Sequence, residues 1–371
     1  MPKRVLVIGG YGNFGSYIAR ALAGDDEIQL LIGGRSAAKA RAFAATLAAR
    51  YPPGCVTLDI AGDLAPVFAA AKPDIVVHTT GPFQHQRYAV AEACIAAGCH
   101  YVDLADARRF VVEIGRLDDA ARARNVLVVS GASSVPCLTA AIIDEASPRF
   151  RSIRRVDYGI SAAQQTNRGL ATTSAILSYV GKPFATLIEG RERNVYGWQD
   201  LHSVAYPEFG RRWFGNCDIP DLTLFPARYP TLETVRFSAG HENPLLHFGL
   251  WALSGLVRAR LIPTLERLAP LLLKASFLFD VFASSRSGFH MVIEGAGPDG
   301  AARRERTWIL AGSGHGPYIP CVPAMLVARR LARGQIAATG ARPCLDLIDL
   351  DAYRRALGGF DIRFIEERDD A

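Results

Sequence analysis

Three glycines near the N-terminus have the spacing of a loop that binds phosphate. Gly10, Gly12 and Gly15 form the pattern G-x-G-x-x-G directly after the apolar run Val5–Ile8. In such a loop the first glycine permits a tight turn, the second lets the backbone approach a pyrophosphate, and the third lets a helix pack closely on a strand. The N-terminus of that helix presents amide groups to the phosphates. The residues predicted to bind a dinucleotide here are Gly9, Gly10, Gly12, Asn13, Phe14 and Gly15.

The tip of the second apolar run indicates which dinucleotide binds. Sites for NAD usually place Asp or Glu there to hold the ribose 2′-hydroxyl, whereas this sequence has Gly34-Arg35-Ser36 followed by Lys39. A guanidinium can hold a 2′-phosphate with two hydrogen bonds, and a carboxylate would repel it. Ser36 adds a hydroxyl donor and Lys39 a further positive charge. The sequence therefore predicts NADP, with an ordinary surface arginine as the alternative interpretation of Arg35.

The first third of the chain alternates short apolar runs with alanine-rich stretches. This alternation predicts strands joined by helices, and hence an α/β fold with a doubly wound parallel sheet. Helices on both faces of such a sheet explain why its strands carry few polar residues. The predicted strands are Val5–Ile8, Ile28–Ile32, Val56–Ile60, Ile75–His78, Tyr101–Leu104 and Val126–Val129.

The pattern changes after Pro136. Arg154–Ile160 and Glu233–Ala239 alternate polar and apolar residues, which is typical of strands with one wet face. Two further apolar runs flank Asp299-Gly300, a hairpin turn signal. We therefore predict a second α+β domain built on a mainly antiparallel sheet.

One further motif follows the fourth predicted strand, and another runs into and includes the fifth. One is Thr79-Thr80-Gly81-Pro82-Phe83, and the other, in Ala93–Leu104, is AC-x-x-AG-x-HYVDL. Together with the glycine loop, they resemble the saccharopine dehydrogenase-like oxidoreductases. The resemblance implies an NADP-binding Rossmann domain in residues 1–135 and a substrate and dimerisation domain in 136–317. It also implies a C-terminal helical segment, 318–371, that returns to the Rossmann domain.

The substrate does not follow from this resemblance. Many relatives have a Gly-Glu pair after YVDL, whereas this chain has Ala105-Asp106. Members of the family include saccharopine-forming reductases and enoyl reductases that act on lipid-linked chains, and this sequence departs from both.

Candidate site residues lie where strands of the parallel sheet end, because ligands bind at the carboxyl ends of such strands. Thr80, Gly81 and Pro82 are predicted to line the ribose and nicotinamide, and Ser133 belongs to the loop after the sixth strand. A reductase also needs a proton donor within hydrogen-bonding reach of its substrate. The candidates are Asp106, Tyr101 and His85, with a packed core residue as the alternative for Tyr101 and an exposed residue for His85.

The second domain supplies three candidate substrate-binding residues. Arg168 lies in a loop bordered by Gly and Thr and could hold an anionic group, and Lys182 and His315 lie in other glycine-containing turns. Ordinary surface or turn residues are the alternative interpretation for all three. No spacing of His, Cys and Asp suggests a metal site.

Composition narrows the class of protein. The chain has 371 residues, of which 50% are hydrophobic and 21% charged, as in a globular protein with a sizeable core. The net charge of +6 comes from scattered basic residues, so we expect no nucleic-acid partner. Seven cysteines without a C-x-x-C pair, and an N-terminus without a signal-peptide pattern, lead us to expect a cytoplasmic protein with reduced thiols.

Residues 245–282 are unusually rich in Leu, Phe and Trp, with scattered Arg and Lys. Buried helices or the interface of a homodimer are the favoured interpretation. The alternative is a surface that rests on a membrane.

These observations leave three hypotheses for function. The first is an NADP-dependent oxidoreductase that transfers hydride to or from a C=N, C=O or C=C bond of a small molecule. The second is a membrane-associated enoyl reductase acting on lipid-linked substrates. The third is a non-catalytic protein that binds NADPH to sense or regulate.

Overall fold

The computed structural model describes residues 1–166 and 168–370, and the chain divides into two compact units. The first unit comprises Met1–Leu138 and Tyr318–Asp349, and the second comprises Thr139–Pro317 and the chain from Leu350 onward. The strands of the described residues are β1 Lys3–Ile8, β2 Ile28–Gly34, β3 Gly54–Thr57, β4 Ile75–His78, β5 His100–Asp103, β6 Leu127–Ser130, β7 Ser152–Ala162, β8 Pro183–Ile188, β9 Arg191–Tyr196, β10 His202–Tyr206, β11 Gly210–Asn216, β12 Thr234–His241, β13 Ser287–Ala296, β14 Ala302–Ala311, β15 Gly340–Pro343 and β16 Ile362–Asp370.

The α-helices connect and cover these strands. Short 3₁₀ turns occur beside several of them, including Phe277–Phe282 after the eleventh helix. The helices are α1 Asn13–Ala23, α2 Ala37–Ala44, α3 Ala65–Ala71, α4 Ala89–Ala97, α5 Arg108–Val112, α6 Asp118–Ala123, α7 Thr139–Ala146, α8 Leu170–Tyr179, α9 Asp221–Arg228, α10 Pro244–Arg258, α11 Ala269–Ser276, α12 Val322–Ala332 and α13 Leu350–Leu357.

The first unit contains a parallel sheet in the order β15-β6-β5-β4-β1-β2-β3. Without β15, this is the strand order of dinucleotide-binding folds, so the predicted doubly wound sheet is confirmed. All four residues of β4 and of β6 are buried, as expected for strands with helices on both faces. Residues Leu6, Val76 and Tyr101 belong to the core cluster that these strands share with their helices.

Strand register brings the predicted site together at one edge of this sheet. Ile8 at the end of β1 pairs with His78 at the end of β4 and with Gly33 on β2. His78 pairs in turn with Asp103 at the end of β5. The loops after these four strands therefore leave the sheet side by side. Strands β2 and β3 lie on one side of β1, and β4, β5 and β6 lie on the other, so the strand order reverses between β1 and β4. Ligands bind at this position in open α/β sheets.

The second unit contains a mixed sheet in the order β10-β11-β12-β7-β13-β14-β16. Only the central β12–β7 pair is parallel among the pairs described, so the predicted mainly antiparallel sheet is confirmed. Alternation along β7 buries Val156 and Tyr158, while Arg155 and Asp157 lie on the opposite, wetter face. Strands β8 and β9 form a separate hairpin.

The C-terminal segment differs from its prediction. Residues 318–371 were expected to be helical and to return to the Rossmann domain as one piece. Instead, α12 and β15 belong to the first unit, whereas α13 and β16 belong to the second, where β16 pairs with β14. The alternation in Arg363–Glu367 is typical of an edge strand, a signal too short and too charged to stand out in the sequence.

Candidate active site

The glycine loop has the geometry of a phosphate cradle. Helix α1 begins after Gly12, which has no side chain to cap the helix, and its first turn contains no acidic residue. The first amides of a helix lack acceptors within the helix, so this end can donate hydrogen bonds to an anion. The loop itself is held by the Gly12 amide, which donates to the Gly9 carbonyl at 2.7 Å.

Two of these positions accept only glycine. A Cβ atom on Gly15 would lie 2.1 Å from the Gly9 carbonyl oxygen, inside any allowed contact. Gly9 has a φ of +80°, and a Cβ there would lie 2.7 Å from the Thr79 hydroxyl. The loop can therefore approach a bound pyrophosphate without side chains in the way.

A tyrosine joins this loop to the tip of β2. The Tyr11 hydroxyl accepts a hydrogen bond from the Ser36 amide at 3.0 Å, and the ring lies over Gly34, where a Cβ would be 2.5 Å from Tyr11 Oη. The Ser36 hydroxyl caps α2 by accepting from the Lys39 amide at 3.3 Å. Its own proton remains available as a donor.

The two cations at this tip are available to a ligand. Arg35 and Lys39 are exposed, and neither forms an ion pair with another described residue. No carboxylate belongs to the tip, Gly33–Ser36. This donor set fits a 2′-phosphate better than a free 2′-hydroxyl.

A buried histidine organises the loop after β4. His78 Nε2 lies 2.7 Å from Thr80 Oγ1, and Nδ1 lies 3.0 Å from Tyr101 Oη. Burial lowers the pKa of His78 to about 3, so the ring is neutral at physiological pH. The Thr79 hydroxyl donates to the Ile8 carbonyl at 2.8 Å and ties the same loop to β1.

Two glutamines complete this loop. Gln86 donates from its side-chain amide to the carbonyls of Thr80 and Pro82, at 2.7 and 3.0 Å. Gln84 donates to Asp106 Oδ1 at 3.2 Å, which joins the loop after β4 to the loop after β5. Thr80, Gly81 and Pro82 are each partly exposed, so this fixed loop presents a surface to a ligand.

The two aspartates after β5 have different roles. Asp103 is fully buried, and its Oδ1 accepts from the amides of Ala105 and Gly131 and from the Ser130 hydroxyl, at 2.8 to 3.0 Å. Burial raises the pKa of Asp103 to about 6, although these hydrogen bonds oppose the rise. It fixes the loops after β5 and β6. Asp106 is partly exposed, and burial raises its pKa above the ordinary value for an aspartate.

The structure gives the three predicted proton donors different environments. Tyr101 is fully buried and its hydroxyl faces His78, so its prediction as a catalytic residue gives way to the alternative, a packed core tyrosine. His85 is exposed beside the loop after β4. Of the three, Asp106 combines partial exposure with a raised pKa and a neighbour from a second loop. Ser133, predicted to contact the cofactor, is buried after β6.

The predicted substrate residues all belong to the second unit. Arg168 donates through Nη2 to both oxygens of Asp280, at 2.7 and 2.8 Å, and its guanidinium stacks on Phe277. The Nε and Nη1 atoms of Arg168 are buried and have no partner among the described residues. His315 Nδ1 accepts from the Asp361 amide at 2.9 Å, a structural contact, and Lys182 is partly exposed before β8.

Several site residues were not identified from the sequence. Tyr11 occupies a variable position of the glycine motif, His78 ends an apolar run like a core residue, and Gln84 and Gln86 follow the Gly-Pro-Phe motif. The signal for Gln84 and Gln86 was their position in the loop after β4, a strand that ends at the sheet edge. No group of three metal-ligating side chains occurs within residues 1–166 and 168–370.

Residues 5–131 match the family model described as the saccharopine dehydrogenase NADP binding domain. Residues 5–131 are therefore similar to an NADP-binding domain of the kind that this model describes. This match covers the glycine loop, the β2 tip and the loops after β4 and β5. It identifies NADP as the cofactor, in agreement with the sequence prediction. The uncapped helix, the side-chain-free cradle and the exposed Arg35 and Lys39 all fit this cofactor.

A solved structure shares the fold of this chain. A saccharopine dehydrogenase (L-Glu forming) from Saccharomyces cerevisiae has a TM-score of 0.69 at 13% identity, covering 99% of this chain and 100% of that one. An amine dehydrogenase from Mycobacterium smegmatis has a TM-score of 0.48 at 12% identity, covering 93% and 95%. No curated protein matches the sequence. The NADP-binding domain and the dehydrogenase fold together indicate an oxidoreductase.

Proposed function

We propose that this protein transfers hydride between NADP and a C=N, C=O or C=C bond of a small molecule. The observation that carries the proposal is the combination of a helix N-terminus that no side chain caps with two exposed cations, Arg35 and Lys39, at the tip of β2. Bound NADPH supplies the hydride, and the chain orients it and manages a proton.

Different loops of the first unit bind different parts of the cofactor. The loop Gly9–Gly15 holds the pyrophosphate, and Arg35, Ser36 and Lys39 hold the 2′-phosphate. The loop Thr80–Pro82 lines the ribose and nicotinamide side, because it leaves the sheet directly beside the glycine loop. His78 and Gln86 keep that loop in one conformation by fixing the Thr80 hydroxyl and carbonyl.

Asp106 is the proposed proton donor. An acid must be protonated at the working pH to give up a proton, and burial moves the pKa of Asp106 in that direction. The Gln84 side chain donates to Asp106 Oδ1 and so fixes the position of the carboxyl group. Gln84 thereby acts as a positioning residue.

For the second unit we propose that Arg168 binds an anionic group of the substrate. Asp280 engages only Nη2, and the unsatisfied Nε and Nη1 are costly to bury without an acceptor. A carboxylate or phosphate would satisfy both nitrogens with two hydrogen bonds. Lys182 and His315 are weaker candidates, since no hydrogen bond or ion pair orients the Lys182 side chain within residues 1–166 and 168–370, and His315 Nδ1 already accepts from the Asp361 amide.

The direct test is loss of NADPH absorbance in the stopped flow against a panel of imines, ketones and enoyl compounds, each with and without a carboxylate. The proposal expects turnover with at least one bond type, and faster turnover for the acidic member of a pair. Tight NADPH binding with no oxidation by any compound would favour the sensor hypothesis instead. Arg168→Lys should lower kcat/KM for the acidic member only.

A further inference from the structure

The fold leaves one segment of the second unit with an exposed apolar surface. Among the described residues, every exposed large hydrophobic side chain except Met1 and Leu170 lies between Leu245 and Val281. We call these exposed side chains of 245–281 the apolar surface. Leu261, Leu278 and Val281 are 73%, 76% and 81% exposed. The favoured interpretation, that helices of this segment are buried within the chain, is therefore wrong for these side chains. A concentration of exposed apolar side chains of this kind marks an interaction site.

Helix α10 supplies the first part of this surface. It has no charged residue from Pro244 to Val257, yet Leu245 and Trp251 are exposed on its outer side. A helix that is apolar on all sides is normally buried. Its 15 residues extend about 22 Å, less than the roughly 30 Å of a bilayer core. No helix of the described residues is long and apolar enough to cross a membrane.

The rest of the surface is held outward by specific contacts. Beneath it, Val257, Leu265 and Ala269 belong to one buried cluster. Asp280 anchors the turn after α11, because it accepts from Arg168 and, at 3.0 Å, from the Gln164 side chain. Exposure of Leu278 and Val281, on either side of Asp280, is therefore built into the fold.

Unpaired cations accompany these apolar side chains. Arg258, Arg260, Arg267 and Lys274 are all exposed, and the last three form no ion pair with a described residue. The acids of the segment are Glu266 and Asp280; both are less exposed, and Asp280 is neutralised by Arg168. The surface thus combines apolar side chains with net positive charge.

We propose that the apolar surface docks on a bilayer that contains anionic lipids. Leu, Phe and Trp side chains enter the boundary between head groups and acyl chains, while the cations meet lipid phosphates. A second copy of the chain fits this surface less well, since a two-fold axis would bring its own cations together. The inference is independent of the reaction that the first unit catalyses.

Co-sedimentation of the full chain with vesicles tests this proposal. We expect binding to phosphatidylcholine vesicles containing phosphatidylglycerol, at least about 10-fold weaker binding to phosphatidylcholine alone, and weakening by salt. Leu261→Ser/Leu278→Ser should abolish binding. Arg260→Gln/Lys274→Gln should weaken binding to anionic vesicles by about 10-fold or more. The control Lys72→Gln/Arg191→Gln, which removes two exposed cations elsewhere, should leave binding unchanged.

Three results would overturn the proposal. Equal binding to both vesicle types would contradict the role of the cations. Binding to neither vesicle type would contradict docking on a membrane. Concentration-dependent dimerisation that is lost in the Leu261→Ser/Leu278→Ser variant, without vesicle binding, would assign the surface to a second copy. Tryptophan fluorescence and circular dichroism establish that each variant is folded, and the cation variant tests the idea without changing any apolar residue.

Discussion

The hydroxyl of Tyr11 accepts a hydrogen bond from the Ser36 amide at 3.0 Å, joining the glycine loop to the tip of β2. The contact fixes the spacing between the pyrophosphate cradle and the cations that face the 2′-phosphate. It also depends on Gly34, since any larger residue there would overlap the tyrosine ring. Tyr11 is thus a positioning residue for cofactor selection.

Tyr11→Phe should weaken NADPH binding by about 5-fold, the effect of losing one hydrogen bond of about 1 kcal/mol. NADH should be affected less, because it has no 2′-phosphate to align. Calorimetric titration of both cofactors measures this difference. Tyr51→Phe is a matched control, since its hydroxyl donates to the Asp26 carbonyl at 3.1 Å elsewhere in the same unit. Equal losses for NADPH and NADH would contradict a positioning role at the 2′-phosphate.

Asp106→Asn should lower kcat in the reductive direction by about 10²- to 10⁴-fold, the usual contribution of a general acid. In the wild type, kcat/KM should fall as the pH rises through the raised pKa of Asp106, because the carboxyl then loses the proton it donates. That limb of the pH profile should be absent in Asp106→Asn. Tyr101→Phe should keep most of the activity, since its hydroxyl faces His78 in the core. A large loss of kcat in Tyr101→Phe, together with a wild-type kcat in Asp106→Asn, would reverse these assignments.

The pH dependence of stability should report on Asp221 in the second unit. Its buried carboxylate accepts from Thr139 and Tyr158, at 2.6 and 2.8 Å, and burial raises its pKa from 3.8 to about 7. A raised pKa means that the folded state keeps a proton that the unfolded state has lost. The stability from this group is complete below about pH 4 and is lost as the pH rises to about 7.

The comparison with Asp221→Asn isolates this effect. Relative to that variant, the wild-type free energy of unfolding should fall between pH 4 and pH 8 by up to about 4 kcal/mol, because the pKa of Asp221 rises from 3.8 to about 7 on folding. Urea unfolding followed by tryptophan fluorescence is suited to this measurement, since Trp198, Trp213, Trp251 and Trp308 all lie in the second unit. A constant difference across this pH range would show that Asp221 is ionised in the folded protein.

The sequence predicts the first unit well because its signals are local. The glycine loop and the apolar strands each depend on neighbouring residues, and the structure confirms the sheet that they predict. The role of Arg35 stays a prediction. Boundaries were less accurate. Strand β3 is Gly54–Thr57 where Val56–Ile60 was predicted, and α2 ends at Ala44 although the alanine-rich stretch Ala37–Arg50 predicts a longer helix. Both errors occur near turns, where propensity is weak.

The remaining features depend on contacts between residues far apart in the chain. The contacts of His78 with Tyr101 and of Gln84 with Asp106 arise only when β4 and β5 pair, so neither residue's role is visible in its local sequence. The charged strand β16 forms because β14 offers it an edge. The exposure of Leu261 and Leu278 is equally invisible, since the same apolar pattern is typical of a buried helix.

The most direct measurement is calorimetric titration of NADPH and NADH into the wild type and Arg35→Asp. We predict that the wild type binds NADPH more tightly than NADH, and that Arg35→Asp loses most of its NADPH affinity while its NADH affinity changes little. Wild-type protein that gives no binding heat with either cofactor would contradict the assignment of the glycine loop and the β2 tip as a cofactor site. Equal losses for both cofactors in Arg35→Asp would contradict the role of Arg35 at the 2′-phosphate.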